Sequence, residues 1–300
     1  QSLLKKHAEN APFFLYLHYI DPHEPYCPPD EYKRMFAAEE GVDPAHLPRL
    51  EPDAFKKYFD DARLYETGWK KEREIEPLSP EEKEVIRAYY DGEARFTDDQ
   101  VAAFLEMIRR DFPNTIVIIT ADHGEELWDH GTTGHGHSLY EELVHVPLAL
   151  QGPGIEPGIV EEAVESIDLL PTVAARLGIA RSDTWQGRDL LGGGATGDTR
   201  VFARTRASLP VEMVDLFAVR DGVWKLIVDQ NTGEDMLFNL AEDPGETNNV
   251  FAGNPDVAQT LQTALEEHRK RCTALHQTLP IPEDAAERAE LSEDSLEQLK

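Results

Sequence analysis

The sequence predicts an α/β protein: a mostly parallel sheet flanked by helices, followed by a small C-terminal antiparallel α+β part. Three observations carry this. Ile116-Val117-Ile118-Ile119 is a short uncharged apolar run leading straight into Asp122-His123-Gly124, the signature of a strand buried in a parallel sheet. Amphipathic helical segments alternate with such runs, the rhythm of α/β folds. From Arg200 onward the pattern changes to strands joined by tight turns. In open α/β sheets ligands bind beyond the carboxyl ends of the strands. The Asp-His pair therefore stands where a site is expected.

The elements follow in order. Pro12–Tyr19 is aromatic and apolar and predicts a strand, with His18 as a core or strand-face residue. It ends in Ile20-Asp21-Pro22-His23-Glu24-Pro25-Tyr26, a proline-stiffened loop in which His23 is a candidate site residue and Asp21 a brace. Asp30 to Pro77 is polar and aperiodic, an excursion over the surface with short helices. Ser79-Pro80-Glu81-Glu82 starts a helix, with serine at the N-cap, proline in the first turn and glutamate completing a capping box. Val85, Ile86, Tyr89, Tyr90, then Phe96, Val101, Phe104, Leu105 and Ile108 continue it across Gly92, leaving Asp98 and Asp99 to face solvent. Pro113-Asn114 turns into the central strand, and Val144–Leu150 predicts a second one. Ser166–Gly178 reads as a helix stopped by Gly178. Gly192-Gly193-Gly194 reads as a linker, because no lysine and no strand–loop–helix context make it a phosphate cradle. Phe217–Arg220, Asp221-Gly222 and Val223–Val228 form a hairpin; Leu237–Leu240 adds a strand, Pro255–Leu275 a helix, and the acidic tail begins at Pro280.

Composition narrows the function. The 300 residues hold 58 acidic and 29 basic side chains, a net charge of -29. That argues against non-specific nucleic-acid or anionic-membrane binding and suits a soluble, cation-binding or salt-adapted protein. Apolar runs are strand-sized, too short for a membrane span. Cys27 and Cys272 lie far apart without C-x-x-C spacing, so no disulfide framework is expected. The chain opens on Gln1, in what reads as the end of a helix at Leu3–His7 and without a signal peptide. It is therefore expected to be a piece of a longer protein.

The chemistry concentrates in Thr120–Leu150. Asp122 offers hard oxygen and His123 a borderline nitrogen, so the two can ligate one cation. Glu125 and Glu126 read as loop solvation, and His130 as a loop brace. His135 and His137 stand at i and i+2 between glycines; in an extended loop only one points into a given pocket, and His135 is favoured. A protonated histidine there could hold an anionic oxygen or donate a proton to a leaving group.

At these residues the sequence resembles the sulfatase family of the alkaline-phosphatase superfamily. P-F-F-L-Y-L-H-Y-I-D-P-H-E-P-Y resembles the family's strand and P-H-x-P-Y loop, and Y-D-G-E-A-R-F-T-D-D-Q its long helix. T-A-D-H-G-E with H-G-H-S-L-Y-E-E-L-V-H-V-P-L resembles its metal and substrate segment. S-I-D-L-L-P-T-V-A-A-R-L-G-I, G-R-D-L-L, V-R-D-G-V-W-K-L-I and L-F-N-L-A-E-D-P-G-E-T-N-N follow in the family's order. The resemblance implies an alkaline-phosphatase-like fold. It divides the chain into the C-terminal portion of the catalytic α/β domain (1–198), a small sheet-plus-helix subdomain (199–279) and an acidic tail (280–300). It implies hydrolysis of a sulfate ester, on a small molecule or a sulfated carbohydrate, by a formylglycine made from Cys or Ser in C/S-x-P-x-R. It also implies one divalent cation, usually Ca2+ with Mg2+, Mn2+ or Zn2+ as alternatives, which neutralises sulfate oxygens. By matched motif Asp122 and His123 would ligate the metal, His23 would contact the sulfate, and His135 or His137 would meet sulfate and leaving oxygen.

The chain departs from the family in two places. It holds no C/S-x-P-x-R (Cys27 is followed by Pro-Pro-Asp-Glu31) and no early pair of aspartate ligands. Both belong to the family's N-terminal part. The expectation is a C-terminal portion of a sulfatase, inactive alone and exported to the periplasm or outside the cell in its complete form. Its rivals are a phosphodiesterase, phosphonate monoester hydrolase or phosphoethanolamine transferase of the same superfamily, and a non-catalytic cation-binding remnant.

Overall fold

A computed structural model describes residues 13–37, 79–192, 199–208 and 213–279. Expectations for Leu3–His7, Pro12, most of Asp30–Pro77, Gly193-Gly194 and the tail from Pro280 lie outside the described residues. The chain divides into two compact units: residues 1–135 with 146–154, and residues 136–145 with 155–300.

In the first unit, α1 (Asp30–Ala37) packs on the long α2 (Pro80–Asp111). The capping box predicted for α2 is present: Glu82 N–H donates to Ser79 Oγ at 3.2 Å, and Ser79 N–H to Glu82 Oε2 at 2.7 Å. The helix runs unbroken through Gly92. A Cβ there would stand 2.9 Å from Pro28 Cγ and 3.2 Å from Tyr32 O, so glycine allows the loop before α1 to lie against α2. Asp99 does not simply face solvent. It accepts from Tyr32 Oη at 3.0 Å and from Arg95 Nε at 3.1 Å, tying α1 to α2.

The central strand is β1 (Val117–Thr120), and β4 (Leu148–Gln151) pairs with it antiparallel in the register Val117↔Gln151 to Thr120↔Leu148. Every ladder among the described residues is antiparallel, so the parallel neighbours expected for β1 are not found there. β1 is only half-buried at its start and exposed at Ile119 and Thr120. Residues 13–20 form no strand, and His18 is exposed, hydrogen-bonded to Tyr16 Oη at 3.1 Å. The physical reason is shared: an extended segment becomes a strand, and an apolar strand is buried, only when neighbours take its backbone hydrogen bonds and cover its faces. The sense of the segment is nonetheless parallel to β1. Phe13 packs edge-on against Phe112, just before β1, and His23 packs edge-on against His135, which stacks on His123, just after β1.

Between β1 and β4 come a short hairpin, β2 (Glu126–Leu127) and β3 (Thr133–Gly134), and a one-turn helix α3 (Glu141–Val144). The strand expected from Val144 therefore begins only at Leu148.

In the second unit, β5 (Val201–Ser208), β6 (Met213–Asp221), β7 (Trp224–Asp229) and β8 (Met236–Asn239) form one antiparallel sheet in sequence order. Asp221 pairs with Trp224, so the predicted turn sits one residue on, at Gly222-Val223, with Gly222 at φ +58°. One face buries Val219, Leu226 and Leu237 under α5 (Pro255–Thr278) through Ala258, Leu261 and Leu265. The other face buries Leu216, Ala218, Ile227 and Phe238 against Leu139, Tyr140 and Val144. Lys225, 2 % exposed, is neutralised by Glu141 and Glu246, each at 2.9 Å.

The helix predicted from Ser166 starts as one 3-10 turn, becomes α4 (Leu169–Arg176), and stops at Gly178 with φ +68°. The Gly187-Arg188 stretch is bound to it. Buried Asp168 accepts from the backbone N–H of Arg188 at 2.8 Å and of Glu165 at 3.0 Å. A Cβ on residue 187 would come within 2.1 Å of Ile167 O, which only glycine avoids.

Candidate active site

The first unit gathers four of the sequence-predicted residues, His23, Asp122, His123 and His135. The His123 and His135 rings stack at 4.1 Å and 30°, and His23 meets His135 edge-on at 5.5 Å and 62°. Asp122 adjoins them: its Oδ2 lies 3.8 Å from His123 Nε2, and its Oδ1 accepts the His123 N–H at 3.0 Å. His123 Nδ1 is engaged by Gly124 O at 2.9 Å. His137 belongs to the second unit and is half-buried.

Each side chain has a local cause. His23 is placed by its loop. Its backbone N–H donates to Glu93 Oε2 at 3.3 Å, the Cys27 N–H donates to Glu93 Oε1, and its own Nδ1 pairs with Glu24 O at 2.7 Å. Glu93, on α2, is 5 % exposed. Burial pushes its carboxyl up to about 7, opposed by the N–H of Cys27 and of His23 and by Lys33, and aided by the charge of Asp21. The Asp21 carbonyl accepts from Thr97 Oγ1 at 3.4 Å.

His135 is placed by the β2–β3 hairpin. Glu126 pairs with Gly134, so the flanking Glu125 and His135 come face to face across the ladder. Glu125 Oε1 lies 3.0 Å from His135 Nδ1. Sequence reasoning assigned Glu125 and Glu126 to loop solvation; both are corrected here. The Glu125 side chain is 5 % exposed and Glu126 is fully buried. Glu126 holds the turn by accepting from the N–H of His130 at 3.2 Å and from Thr132 N and Oγ1 at 3.1 and 2.8 Å. The turn uses Trp128 at φ +67° and Gly131 at φ +90°. His130 thus braces the loop through its backbone. A buried carboxylate that satisfies three turn donors is ordinary tertiary chemistry, but nothing in the local pattern E-E-L-W-D-H separates it from a solvated charge.

Sequence reasoning also missed Tyr26 and Glu93. Tyr26 is 1 % exposed and packs edge-on with Tyr90 at 5.4 Å. Burial first, then the Glu125 charge, hold its phenol well above the ordinary range. The Pro-Tyr step after Glu24 was the available signal.

Asp122 and His123 fit one cation by donor chemistry: one carboxylate and one imidazole, adjacent, at the carboxyl end of β1, their nearer atoms 3.8 Å apart. Beside them the histidine rings offer donors to an anion.

The fold that carries this arrangement is of the alkaline-phosphatase type. The Sulfatase family model matches residues 1–179, and the chain belongs to the sulfatase family. Arylsulfatase K of Mus musculus is 29% identical over 209 residues, covering 64% of this chain and 38% of that protein. Among solved structures, phosphonate monoester hydrolase from Silicibacter pomeroyi is 27% identical at a TM-score of 0.66, covering 90% of this chain and 59% of that one. A second, solved in complex with its substrate D-glucosamine-2-N,6-O-disulfate, has a TM-score of 0.61 at 18% identity, covering 87% and 65%, and shows the shared fold alone. The chain spans about half the length of the curated relatives it matches. No helix among the described residues is long and apolar enough to cross a membrane.

Proposed function

We propose that the chain is the C-terminal portion of a metal-dependent sulfuric ester hydrolase of the formylglycine type. The observation that carries this reading is the convergence of His23, Asp122, His123 and His135 at the carboxyl ends of two segments of parallel sense. Asp122 and His123 would hold one divalent cation, Ca2+ first, with Mg2+, Mn2+ or Zn2+ as alternatives. When bound, the cation withdraws negative charge from the oxygens of the sulfuryl group. His23 contacts a sulfate oxygen. His135, with His137 as the alternative, faces the leaving oxygen and supplies its proton. The formylglycine is assigned to a part of the polypeptide outside these 300 residues, which contain no C/S-x-P-x-R. The domain division at 198 and 279, and export of the complete protein to the periplasm or beyond, belong to the same proposal. A sulfate ester of a small molecule or a sulfated carbohydrate is the proposed substrate, the latter supported by the disulfated sugar bound in the structural neighbour.

A second reading, phosphonate monoester or phosphodiester hydrolysis, is supported by the phosphonate hydrolase neighbour, which matches nine-tenths of the chain. The deciding experiment is to sequence the coding DNA upstream of Gln1 and assay the complete protein on 4-nitrophenyl sulfate and on a phenyl phosphonate monoester. A C/S-x-P-x-R in frame, with sulfate as the faster substrate, is the expected result. A Thr or Ser nucleophile outside that motif, with preference for the phosphonate, favours the second reading. Robust sulfate-ester hydrolysis by these 300 residues alone would refute the partial-chain assignment.

A further inference from the structure

We infer that Glu125 is a positioning residue for His135: it accepts the Nδ1 proton and so fixes the tautomer in which Nε2 carries the lone pair. Two observations meet here. The Glu126↔Gly134 pairing brings residues 125 and 135 opposite one another at the mouth of the hairpin. The carboxylate is 5 % exposed and lies 3.0 Å from Nδ1.

An ionised carboxylate only accepts hydrogen bonds. Across the 3.0 Å contact Nδ1 is therefore the donor. In water a neutral histidine ring keeps its proton mostly on Nε2, so the fold holds His135 in the less common form. Stacking on His123 at 4.1 Å fixes the ring plane. What Nε2 then does rests on the proposed function: its lone pair takes up a proton from water, the Glu125 carboxylate steadying the imidazolium, and that proton passes to the leaving oxygen as its bond breaks. Orienting a ring through its second nitrogen is a general device of histidine sites.

The test uses this chain, labelled with 15N-histidine, and reads long-range 1H–15N correlations. His135 is assigned from the spectrum of H135Q. The expected result is the Nδ1–H pattern for His135 in the wild type, and a shift to mainly Nε2–H in E125A. An Nε2–H pattern in the wild type, or an unchanged pattern in E125A, overturns the inference. Should E125A fail to fold, E125Q keeps the shape and can offer its amide N–H to Nδ1 as readily as its carbonyl. A mixture of tautomers is then expected, and an unchanged single Nδ1–H form overturns the inference. The readout needs no substrate. Loss of the sulfatase reading would leave the tautomer standing, and the wrong tautomer would leave hydrolysis standing.

Discussion

Glu93 shows how a single buried group ties pH to the site. Its carboxyl is raised from 4.5 to about 7, mainly by burial, while it anchors two N–H groups of the His23 loop. The unfolded chain releases this proton first as pH rises, so the folded state binds more protons across that window. Its contribution is therefore fully present below about pH 4.5 and lost as pH rises through about 7, amounting to about 3 kcal/mol. Urea denaturation at pH 5 and pH 8 tests this. The stability fall in E93Q should be smaller than in the wild type by roughly that amount, and an identical fall would show that Glu93 does not titrate there. Gly187 makes a steric case at the same scale. G187A places a Cβ 2.1 Å from Ile167 O, so the loop must move away from α4. A loss of about 1–3 kcal/mol, measured by thermal or urea unfolding, is expected.

At the scale of elements, start and stop signals were readable because they are local. The Ser79–Glu82 box, Gly178 and Gly222 act within a few residues of themselves, and each stands within a residue of where the pattern put it. Residues 13–20 had an equally strong local pattern and form no strand, because a strand needs partners that its own residues cannot supply. Lys225 is the matching case in the second unit. It alternates correctly along β7 yet is buried at 2 % exposure, since Glu141 from α3 and Glu246 reach it from distant parts of the sequence. Truncating it to alanine leaves Glu246, itself fully buried, without its main counter-charge. K225A should cost about 3–5 kcal/mol, whereas replacing the whole ionic group by apolar residues should cost far less. Comparative urea unfolding of K225A and of K225M/E246L/E141Q would separate these outcomes.

For the whole molecule, the net charge of -29 sets two separable responses. Monovalent salt should raise the melting temperature by screening general repulsion, in the wild type and D122A alike. A divalent cation at low millimolar concentration should add a further rise in the wild type that D122A and H123A lack, because only binding to the folded form adds stability by mass action. Differential scanning fluorimetry with NaCl and CaCl2 in parallel distinguishes the two. Equal CaCl2 responses in wild type and D122A would remove these residues from the cation site.

By itself the sequence determined the order and kind of most elements, the antiparallel sheet with its terminal helix, the family, and the candidates His23, Asp122, His123, His135 and His137. These follow from periodicity, capping and turn chemistry, and from motifs short enough to read along the chain. The tertiary structure decided which of these residues share a place: His23 reaches His135 across more than a hundred residues. It also decided that Glu93, Glu125 and Glu126 are buried supports rather than solvated charges. A carboxylate's role depends on how much water remains around it and on which donors replace that water. Both are set by residues far away in sequence, so the local pattern around a glutamate cannot reveal them.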